Sequence, residues 1–298
     1  MNYSSLLLGH VTMDTNTDHL GNVVHAPGGA VLFSSASAFA LGHDVAVVTK
    51  ASEKGKARLA AFTIPEDRVF CAQAMHDTEM VNTYFSADKE KRRSVCAEQG
   101  DPIAVSDVPA GITADIYHLA GLLVGDYAPD LIPALARRGD VAVDVQGFLR
   151  RRDPQKGGEM YFADWKEKKE LLPLIRFLKT DAAEAEILTG TKDRAEAARQ
   201  LAAWGAKEVL ITHNTEVLVY ADGRILTCPI RARSLAGRTG RGDTTFAAYI
   251  NERRLHAPAE ALLTATATVS LKMETPGPFR GTRDQVERKM EEMEVTIA

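Results

Sequence analysis

The stretch Gly237-Arg238-Thr239-Gly240-Arg241-Gly242-Asp243-Thr244 follows a strand-like run, residues 224–230, and leads into an apolar-periodic segment. In that segment Phe246, Tyr249 and Ile250 share one helical face, so the three glycines lie where a loop becomes a helix. The first N–H groups of a helix have no intrahelical partner and carry the positive end of its dipole. Glycines also allow close approach of the backbone to a ligand. The stretch therefore predicts an anion site suited to phosphate.

Asp243 places a carboxylate at the mouth of this predicted site. A carboxylate beside bound phosphate is repelled unless it holds a metal or takes a proton, and in phosphoryl transfer to an alcohol an aspartate accepts the hydroxyl proton. The alternative is a glycine-rich turn in which Asp243 caps the helix. The stretch is not a P-loop, because no Gly-Lys-Ser/Thr follows, and its glycine spacing differs from the dinucleotide fingerprint.

The amino-acid composition limits the classes of protein to which the chain can belong. The chain has 298 residues, of which 45% are hydrophobic and 26% charged, which fits one large domain or one domain with a small appendage. A net charge of −4 gives no argument for nucleic acid or anionic membrane as a partner. Three scattered cysteines fit reduced thiols in a cytoplasm. With no signal peptide and no membrane-length apolar run, we expect a cytoplasmic protein that binds neither membrane nor nucleic acid.

Strand-like and helix-like segments alternate along the chain. Residues 4–8 and 44–49 are short apolar runs, and between them a segment rich in Ala and Ser ends at Leu41. Such alternation predicts a parallel sheet covered on both faces. Residues 80–85 and 94–97 predict two further strands around the charged run 88–93, which we interpret as a solvated hairpin tip.

The glycine-rich stretch resembles the second signature of the ribokinase-like (PfkB) carbohydrate kinase family, usually written Asp-Thr-x-Gly-Ala-Gly-Asp. The last four places of that signature are taken here by Gly240, Arg241, Gly242 and Asp243. Two positions depart from it: Gly237 stands where the family usually has Asp, and Arg241 replaces the small middle residue. The resemblance implies that Asp243 is the catalytic base.

The resemblance also implies the architecture. We expect an α/β protein, a ribokinase-like three-layer α/β/α sandwich with a small β-sheet lid, in which residues 1–298 form one kinase domain. The lid would be discontinuous, comprising approximately residues 13–27 and 80–98. Lids exclude water from a phosphoryl donor. Because exposed lid edges often pair between subunits, a homodimer through the lid is also expected.

In the family, a carboxylate near the N-terminus and a following glycine pair bind substrate hydroxyls. Asp14, Gly28 and Gly29 match that pattern. For Asp14 taken alone, a solvated loop carboxylate is the alternative. The family usually has Asn a few residues beyond the glycine pair, and here Phe33 or a neighbour occupies that place, which predicts a less polar pocket.

Residues 144–150 are similar to the corresponding stretch of plant-type inositol kinases. Asp144 and Gln146 follow a predicted strand, 141–145, and the carboxyl ends of strands are where α/β sheets place ligand groups. We therefore assign both to substrate binding. The arginine run 150–152 has two interpretations, contact with a phosphate or a solvated loop, and the solvated loop is the favoured one.

Asp181 and Glu184 have the spacing of a capping box, which is one interpretation of the pair. The family has Asn-x-x-Glu at this place, and its Glu organises hydrated Mg²⁺ near the phosphates, so the resemblance assigns Asp181 and Glu184 to Mg²⁺ through water. ATP is the implied donor, and a monovalent cation is a further candidate cofactor. The implied nucleotide-binding residues are Asp181, Thr212, Asn214, Gly240, Gly242 and Pro276.

The implied function is ATP- and Mg²⁺-dependent phosphorylation of a hydroxyl on a sugar, a cyclitol resembling inositol, or a nucleoside. Asp243 would be the base, and the amides of residues 240–243 would stabilise charge on the transferred group. Arg241 would add its guanidinium to that site. The alternative is a catalytically weak or inactive protein on the same fold that binds a sugar or nucleotide and acts in regulation. The departures at Gly237 and Asp181 favour this alternative.

Overall fold

The computed structural model describes residues 1–86 and 92–293, so residues 88–91 of the predicted hairpin tip lie outside the described part of the chain. The strands are β1 (Asn2–Leu8), β2 (Thr12–Thr17), β3 (Val23–Gly28), β4 (Val45–Ala51), β5 (Val69–Gln73), β6 (Glu79–Tyr84), β7 (Arg92–Glu98), β8 (Thr113–Leu119), β9 (Asp140–Asp144), β10 (Arg150–Asp153), β11 (Glu159–Phe162), β12 (Phe177–Asp181), β13 (Glu208–Thr212), β14 (Glu216–Ala221) and β15 (Arg224–Pro229). The α-helices are α1 (Ala30–Ala40), α2 (Leu131–Ala136), α3 (Gln146–Leu149), α4 (Lys168–Leu171), α5 (Ala182–Thr189), α6 (Arg194–Ala203), α7 (Arg241–Glu252), α8 (Pro258–Lys272) and α9 (Arg283–Glu292).

Nine strands form the main sheet, in the order β15-β14-β13-β12-β9-β8-β1-β4-β5. From β13 to β5 every neighbouring pair is parallel, whereas β14 and β15 add an antiparallel edge. Helices cover both faces. Leu6 and Leu8 of β1 belong to a core shared with α2, α5 and α6, while Leu7 between them packs on the other side with α1. Side chains alternate along a strand, so β1 feeds both layers and the expected three-layer α/β/α arrangement is confirmed.

A second sheet of six strands has the order β10-β11-β7-β6-β2-β3. It contains the segments predicted as a lid, 13–27 and 80–98, and adds the hairpin of β10 and β11. The prediction that residues 150–152 form a solvated loop is wrong, because they pair antiparallel with residues 160–162 and Arg150 is buried. The arginine run therefore belongs to a sheet, since alternate side chains of a strand can be polar and still line a cavity.

Close packing of α1 on α7 fixes where the glycine-rich loop meets its helix. The Ser34 hydroxyl donates to the Asp243 carbonyl over 3.3 Å, and the Ser37 hydroxyl donates to the Thr244 carbonyl over 2.9 Å. Small Ala and Ser side chains on α1 permit this approach. In the described residues, none of the helices combines the length and apolar composition that a membrane span requires.

Candidate active site

A cavity of about 550 Å³ lies between the second sheet and the carboxyl ends of the parallel strands. Its walls come from β2, β6, β7 and β10 of the second sheet, from β12 and β13 of the main sheet, and from the loop 236–243. Crevices outside the carboxyl ends of parallel strands are where α/β proteins bind ligands. The cavity therefore brings the residues predicted to bind the acceptor next to the predicted anion site.

The loop 236–243, here called the anion loop, has glycine at two positions where a neighbouring side chain lies very close to the backbone. Gly240 is the residue before α7 and has left-handed backbone angles, φ 79° and ψ 13°. A Cβ atom at Gly240 would lie 2.1 Å from the Phe33 ring, and one at Gly242 would lie 3.0 Å from the Lys179 side chain. Phe33 therefore supports the loop besides lining the cavity. The residues at the start of α7 line the cavity, and no Cβ atom at Gly240 or Gly242 covers the backbone there.

Asp243 lies in the first turn of α7 and lines the same cavity. Burial, together with the neighbouring Asp144 carboxylate, raises the pKa of its carboxyl to about 6, against the opposing effect of the Lys179 ammonium. A carboxylate whose pKa lies near neutrality exchanges a proton more readily than an ordinary surface aspartate. The geometry therefore supports the predicted role of Asp243 as a base.

Lys179, in the middle of β12, is a central residue of the site that was not identified from the sequence. Its ammonium lies 3.0 Å from Asp144 Oδ2 and 3.7 Å from Glu184 Oε2. Burial alone would lower the pKa of Lys179, but the surrounding carboxylates raise it above its ordinary value, so the group stays charged. The sequence feature that could have identified it is a lysine directly after the strand-like run 174–178.

Asp144 is buried and does not reach the cavity wall, unlike Gln146, which does. One Asp144 oxygen accepts from the Gln146 backbone N–H over 3.1 Å, and both of its oxygens lie within 3.1 Å of Lys179 Nζ. Asp144 therefore contacts Lys179 and not the cavity, whereas Gln146 lines the cavity wall.

Asp181 and Glu184 form the predicted capping box at the start of α5. The Asp181 side chain accepts from the Glu184 N–H, and the Glu184 side chain accepts from the Asp181 N–H, both over 2.8 Å. Asp181 lines the cavity, whereas Glu184 is 2% exposed behind it. Burial raises the pKa of Glu184 to about 7, and Lys179 opposes that rise. The capping interpretation is thus confirmed, and of these two residues Asp181 alone presents its carboxylate to the cavity.

The described residues do not provide a preformed set of side-chain ligands for a metal ion. Across residues 1–86 and 92–293, no group of three or more His, Cys, Asp or Glu side chains is arranged to hold a metal ion. Mg²⁺ keeps several waters and commonly uses one or two carboxylates together with substrate phosphates. The Asp181 carboxylate, with Glu184 behind it, fits that mode of binding.

On the side of the cavity formed by the second sheet lies Asp14 of β2. It accepts a 2.5 Å hydrogen bond from the Thr12 hydroxyl, and burial raises its pKa. A Cβ atom at Gly28 would lie 2.5 Å from Asp14 Oδ2, and Gly29 has φ 107°, so the glycine pair makes room for this carboxylate. The alternative of a solvated loop carboxylate is therefore wrong for Asp14, because β2 holds it at the cavity wall.

Three further residues that the sequence analysis missed complete this side of the cavity: Asn82, Arg92 and Arg150. Arg150 is buried and its Nε donates to the Leu122 carbonyl over 2.8 Å. The Asn82 side chain donates to Asn16 and accepts from Ser94. These contacts fix the orientation of polar groups around Asp14, which is the arrangement expected for a ligand bearing several hydroxyls.

Near the loop end of the cavity lie the predicted nucleotide-binding residues Thr212, Asn214 and Pro276. Asn214 Oδ1 accepts from the guanidinium of Arg241 over 2.8 Å and from that of Arg238 over 3.3 Å. Both arginines line the cavity. Two guanidinium groups beside the helix start give this end a positive charge suited to phosphate oxygens.

Comparisons with known proteins agree with this geometry. A cytidine kinase from Thermococcus kodakarensis is 24% identical over 258 residues, covering 82% of this chain and 86% of that protein. A pyrophosphate-dependent kinase in the ribokinase family, solved with a pyrophosphate analog and myo-inositol, is 32% identical with a TM-score of 0.85, covering 95% of this chain and 99% of that one. Arabidopsis thaliana ribokinase, complexed with ribose and ATP, shares the fold at 17% identity and a TM-score of 0.75, covering 98% of this chain and 99% of that one.

The family model described as pfkB family carbohydrate kinase matches residues 8–280. That match covers most of the chain and includes both the Asp14 end and the Asp243 end of the cavity. The protein is therefore a phosphotransferase that acts on a hydroxyl group, and it belongs to the PfkB family of carbohydrate kinases.

Proposed function

We propose that this kinase phosphorylates a hydroxyl of a cyclitol such as myo-inositol. The observation that carries the proposal is the placement of Asp243 at the start of α7, in one cavity with Asp14. A general base at the anion site and a hydroxyl-binding carboxylate at the far wall are the two parts that a kinase for a polyhydroxylated ring requires.

In the proposed reaction, the acceptor hydroxyl gives its proton to Asp243 as its oxygen bonds to the terminal phosphorus of the donor. The bond from that phosphorus to the bridging oxygen breaks, and the remaining phosphate leaves. Backbone N–H groups of residues 240–243 stabilise the charge on the transferred group. The Lys179 ammonium, held by Asp144 next to Gly242, adds positive charge on the same side.

The acceptor class follows from the polar groups opposite the base. Asp14 accepts hydrogen bonds from two ring hydroxyls, and Asn82 and Arg150 present fixed polar groups beside it. Phe33 supplies an apolar wall. A relative at 32% identity was solved with myo-inositol, and the stretch 144–150 resembles inositol kinases, so both favour a cyclitol over ribose.

For the donor, the sequence analysis expects ATP with Mg²⁺. The pair Arg238 and Arg241 favours a smaller donor, inorganic pyrophosphate. Such a donor has no base or sugar to contribute binding energy, so its binding depends on charge-assisted hydrogen bonds to its phosphate oxygens. The same relative is pyrophosphate-dependent. We therefore propose pyrophosphate as the preferred donor. Asp181, with Glu184 through water, would hold Mg²⁺, which neutralises phosphate charge when bound.

The test is a panel of inositols, pentoses, hexoses and nucleosides, each assayed with magnesium pyrophosphate and with magnesium ATP. We expect myo-inositol and pyrophosphate to give the highest kcat/KM, with orthophosphate as the second product. Asp14→Ala should weaken acceptor binding and leave donor binding unchanged, because its carboxylate lies at the acceptor end only.

Three outcomes would contradict parts of the proposal. Rapid turnover of a nucleoside or pentose, with no product from any inositol, would remove the cyclitol assignment. ADP release with ATP and no reaction with pyrophosphate would restore the expected ATP donor. Absence of turnover throughout, with one sugar-like ligand raising the thermal stability, would favour the regulatory alternative.

A further inference from the structure

Lys272, the last residue of α8, points its ammonium group into the underside of the anion loop. The side chain is 1% exposed, and its Nζ donates hydrogen bonds to the main-chain carbonyl oxygens of Gly237 and Thr239. Thr239 lies directly before Gly240, the N-cap of α7, and Gly237 lies two residues before Thr239. One buried cation thus joins α8 to the loop that presents the amides of the anion site.

The surroundings of this ammonium resemble a site for a monovalent metal ion. Carbonyl oxygens are the ligands that potassium takes from protein backbones, and aromatic faces also attract cations. The Phe33 ring centroid lies 5.2 Å from Lys272 Nζ. Burial lowers the pKa of Lys272 to about 8, while the nearby Asp243 carboxylate opposes that change, so the group is charged at neutral pH.

The absence of a side chain at Gly237 allows the anion loop to pack closely against the end of α8. A Cβ atom at Gly237 would lie 1.8 Å from the Thr275 carbonyl oxygen and 2.9 Å from the Lys272 carbonyl oxygen. The Gly237 N–H also donates to the Met273 carbonyl over 2.8 Å. The aspartate that the family signature usually has at this position would not fit. The same substitution removes a negative charge that an exchangeable cation would otherwise balance.

A monovalent cation, considered as a cofactor from the sequence, therefore does not fit between these carbonyls, because Lys272 already donates to them. We propose that Lys272 is a built-in cation that replaces an exchangeable monovalent ion and holds the anion loop in its working geometry. It follows that the kinase needs no added potassium or sodium. The inference requires phosphotransferase activity but does not depend on which acceptor or donor is used.

The first experiment compares the wild-type protein in potassium, sodium and tetramethylammonium chloride at one ionic strength. Tetramethylammonium is too large for the space between two backbone carbonyls. We expect kcat and the melting temperature to be nearly the same in the three salts. Several-fold activation by potassium, or a potassium-specific rise in melting temperature, would overturn the proposal.

The second experiment opens the site with Lys272→Ala. We expect kcat to fall by about 10²-fold in tetramethylammonium, the range for disturbing a donor of such a site, with partial recovery in potassium or ammonium chloride. Lys272→Met fills the space with an apolar chain, so it should lose activity without recovery. Lys289→Met is the matched control, because Lys289 is also buried but its ammonium donates to Glu292 on α9.

Thermal unfolding separates this inference from the acceptor proposal, since it needs no substrate. Potassium should raise the melting temperature of Lys272→Ala relative to tetramethylammonium, and should leave those of the wild type and Lys289→Met unchanged. A Lys272→Ala protein that equals the wild type in every salt would contradict the proposal. If that variant unfolds in all salts, the wild-type comparison alone decides.

Discussion

Two lysines and three carboxylates set the charge around the reacting centre: Lys179 and Lys272 against Asp144, Glu184 and Asp243. Buried carboxylates this close raise one another's pKa values unless a cation separates them. Lys179 lies between Asp144 and Glu184, both buried behind the cavity, whereas Asp243 lines the cavity and has a pKa near neutrality, mainly because it is buried. The contacts of Lys179 with Asp144 and Glu184 therefore distinguish these two carboxylates from Asp243.

Asp243→Asn tests the base directly. The amide is nearly the same size but cannot accept the hydroxyl proton, so we expect kcat to fall by about 10²–10⁴-fold. Donor binding should persist, because the backbone amides of the anion loop are unchanged. Single-turnover kinetics and donor titration by calorimetry would measure the two effects. Near-normal kcat on the true acceptor would show that another group takes the proton.

The pH dependence of kcat/KM follows from the raised pKa of Asp243, about 6. The ionised carboxylate is the active form, and protons compete for it as the pH falls through that value. We therefore expect kcat/KM to be steady above about pH 7 and to fall about tenfold per unit well below pH 6. In Asp243→Asn this acidic limb should disappear. A limb near pH 4 in the wild type would contradict the shifted pKa.

At the scale of elements, the start of α5 combines a structural cap with a charged cluster. Glu184→Gln separates the two, because glutamine can still accept from the Asp181 N–H but cannot pair with Lys179 as a charge. We expect the Mg²⁺ concentration needed for half-maximal activity to rise more than the acceptor KM.

The melting temperature of Glu184→Gln, compared with its Mg²⁺ requirement, distinguishes a role for the charge of Glu184 from a role as a helix cap. A lowered melting temperature with an unchanged Mg²⁺ requirement would mean that Glu184 serves α5 only as a cap. Glu186→Gln on the same helix is the matched control, since Glu186 is half-exposed and lies outside the capping box. It should alter neither quantity.

At the scale of the whole molecule, the second sheet and the main sheet each supply half of the candidate site. Asp14, Asn82 and Arg150 come from the second sheet, whereas Asp243 and Lys179 lie at the carboxyl ends of the main sheet or on the helix beside it. Any change in the position of the second sheet would alter the distance between acceptor and base. Its role as a lid stays a prediction.

A homodimer through this second sheet is the prediction at this scale. Strand β3 is its edge, and Val23 and Val24 there are 53% and 59% exposed. Exposed apolar edge strands are covered in stable proteins, often by a second copy of the chain. We expect sedimentation to give the mass of a dimer, and Val24→Lys to give a monomer.

The matched control for that prediction is Tyr161→Lys, which adds the same charge to the exposed face of β11, near the opposite edge of the sheet. This variant should remain dimeric. A wild-type protein that sediments as a monomer at micromolar concentration would refute the pairing.

Local sequence determined the features that depend on short spacings along the chain. The alternation of strands and helices, the glycine-rich start of α7 and the capping box of Asp181 with Glu184 are all encoded within a few residues, by periodicity and by the three-residue reach of a cap. These features predicted a parallel sheet covered by helices and a phosphate site beside Asp243, whereas the resemblance to the PfkB family implied the β-sheet lid and the role of Asp243 as the base.

Tertiary structure alone decided the features that depend on where distant segments meet. The contacts of Lys179 with Asp144 and of Lys272 with Gly237 each join residues 35 apart in sequence. A lysine within a strand, or at the end of a helix, has no local sequence feature that identifies its partner, so its role depends on the packing of α8, β9 and β12 around the loop. The burial of Arg150 has the same cause, because only the pairing of β10 in the second sheet turns that arginine toward the cavity.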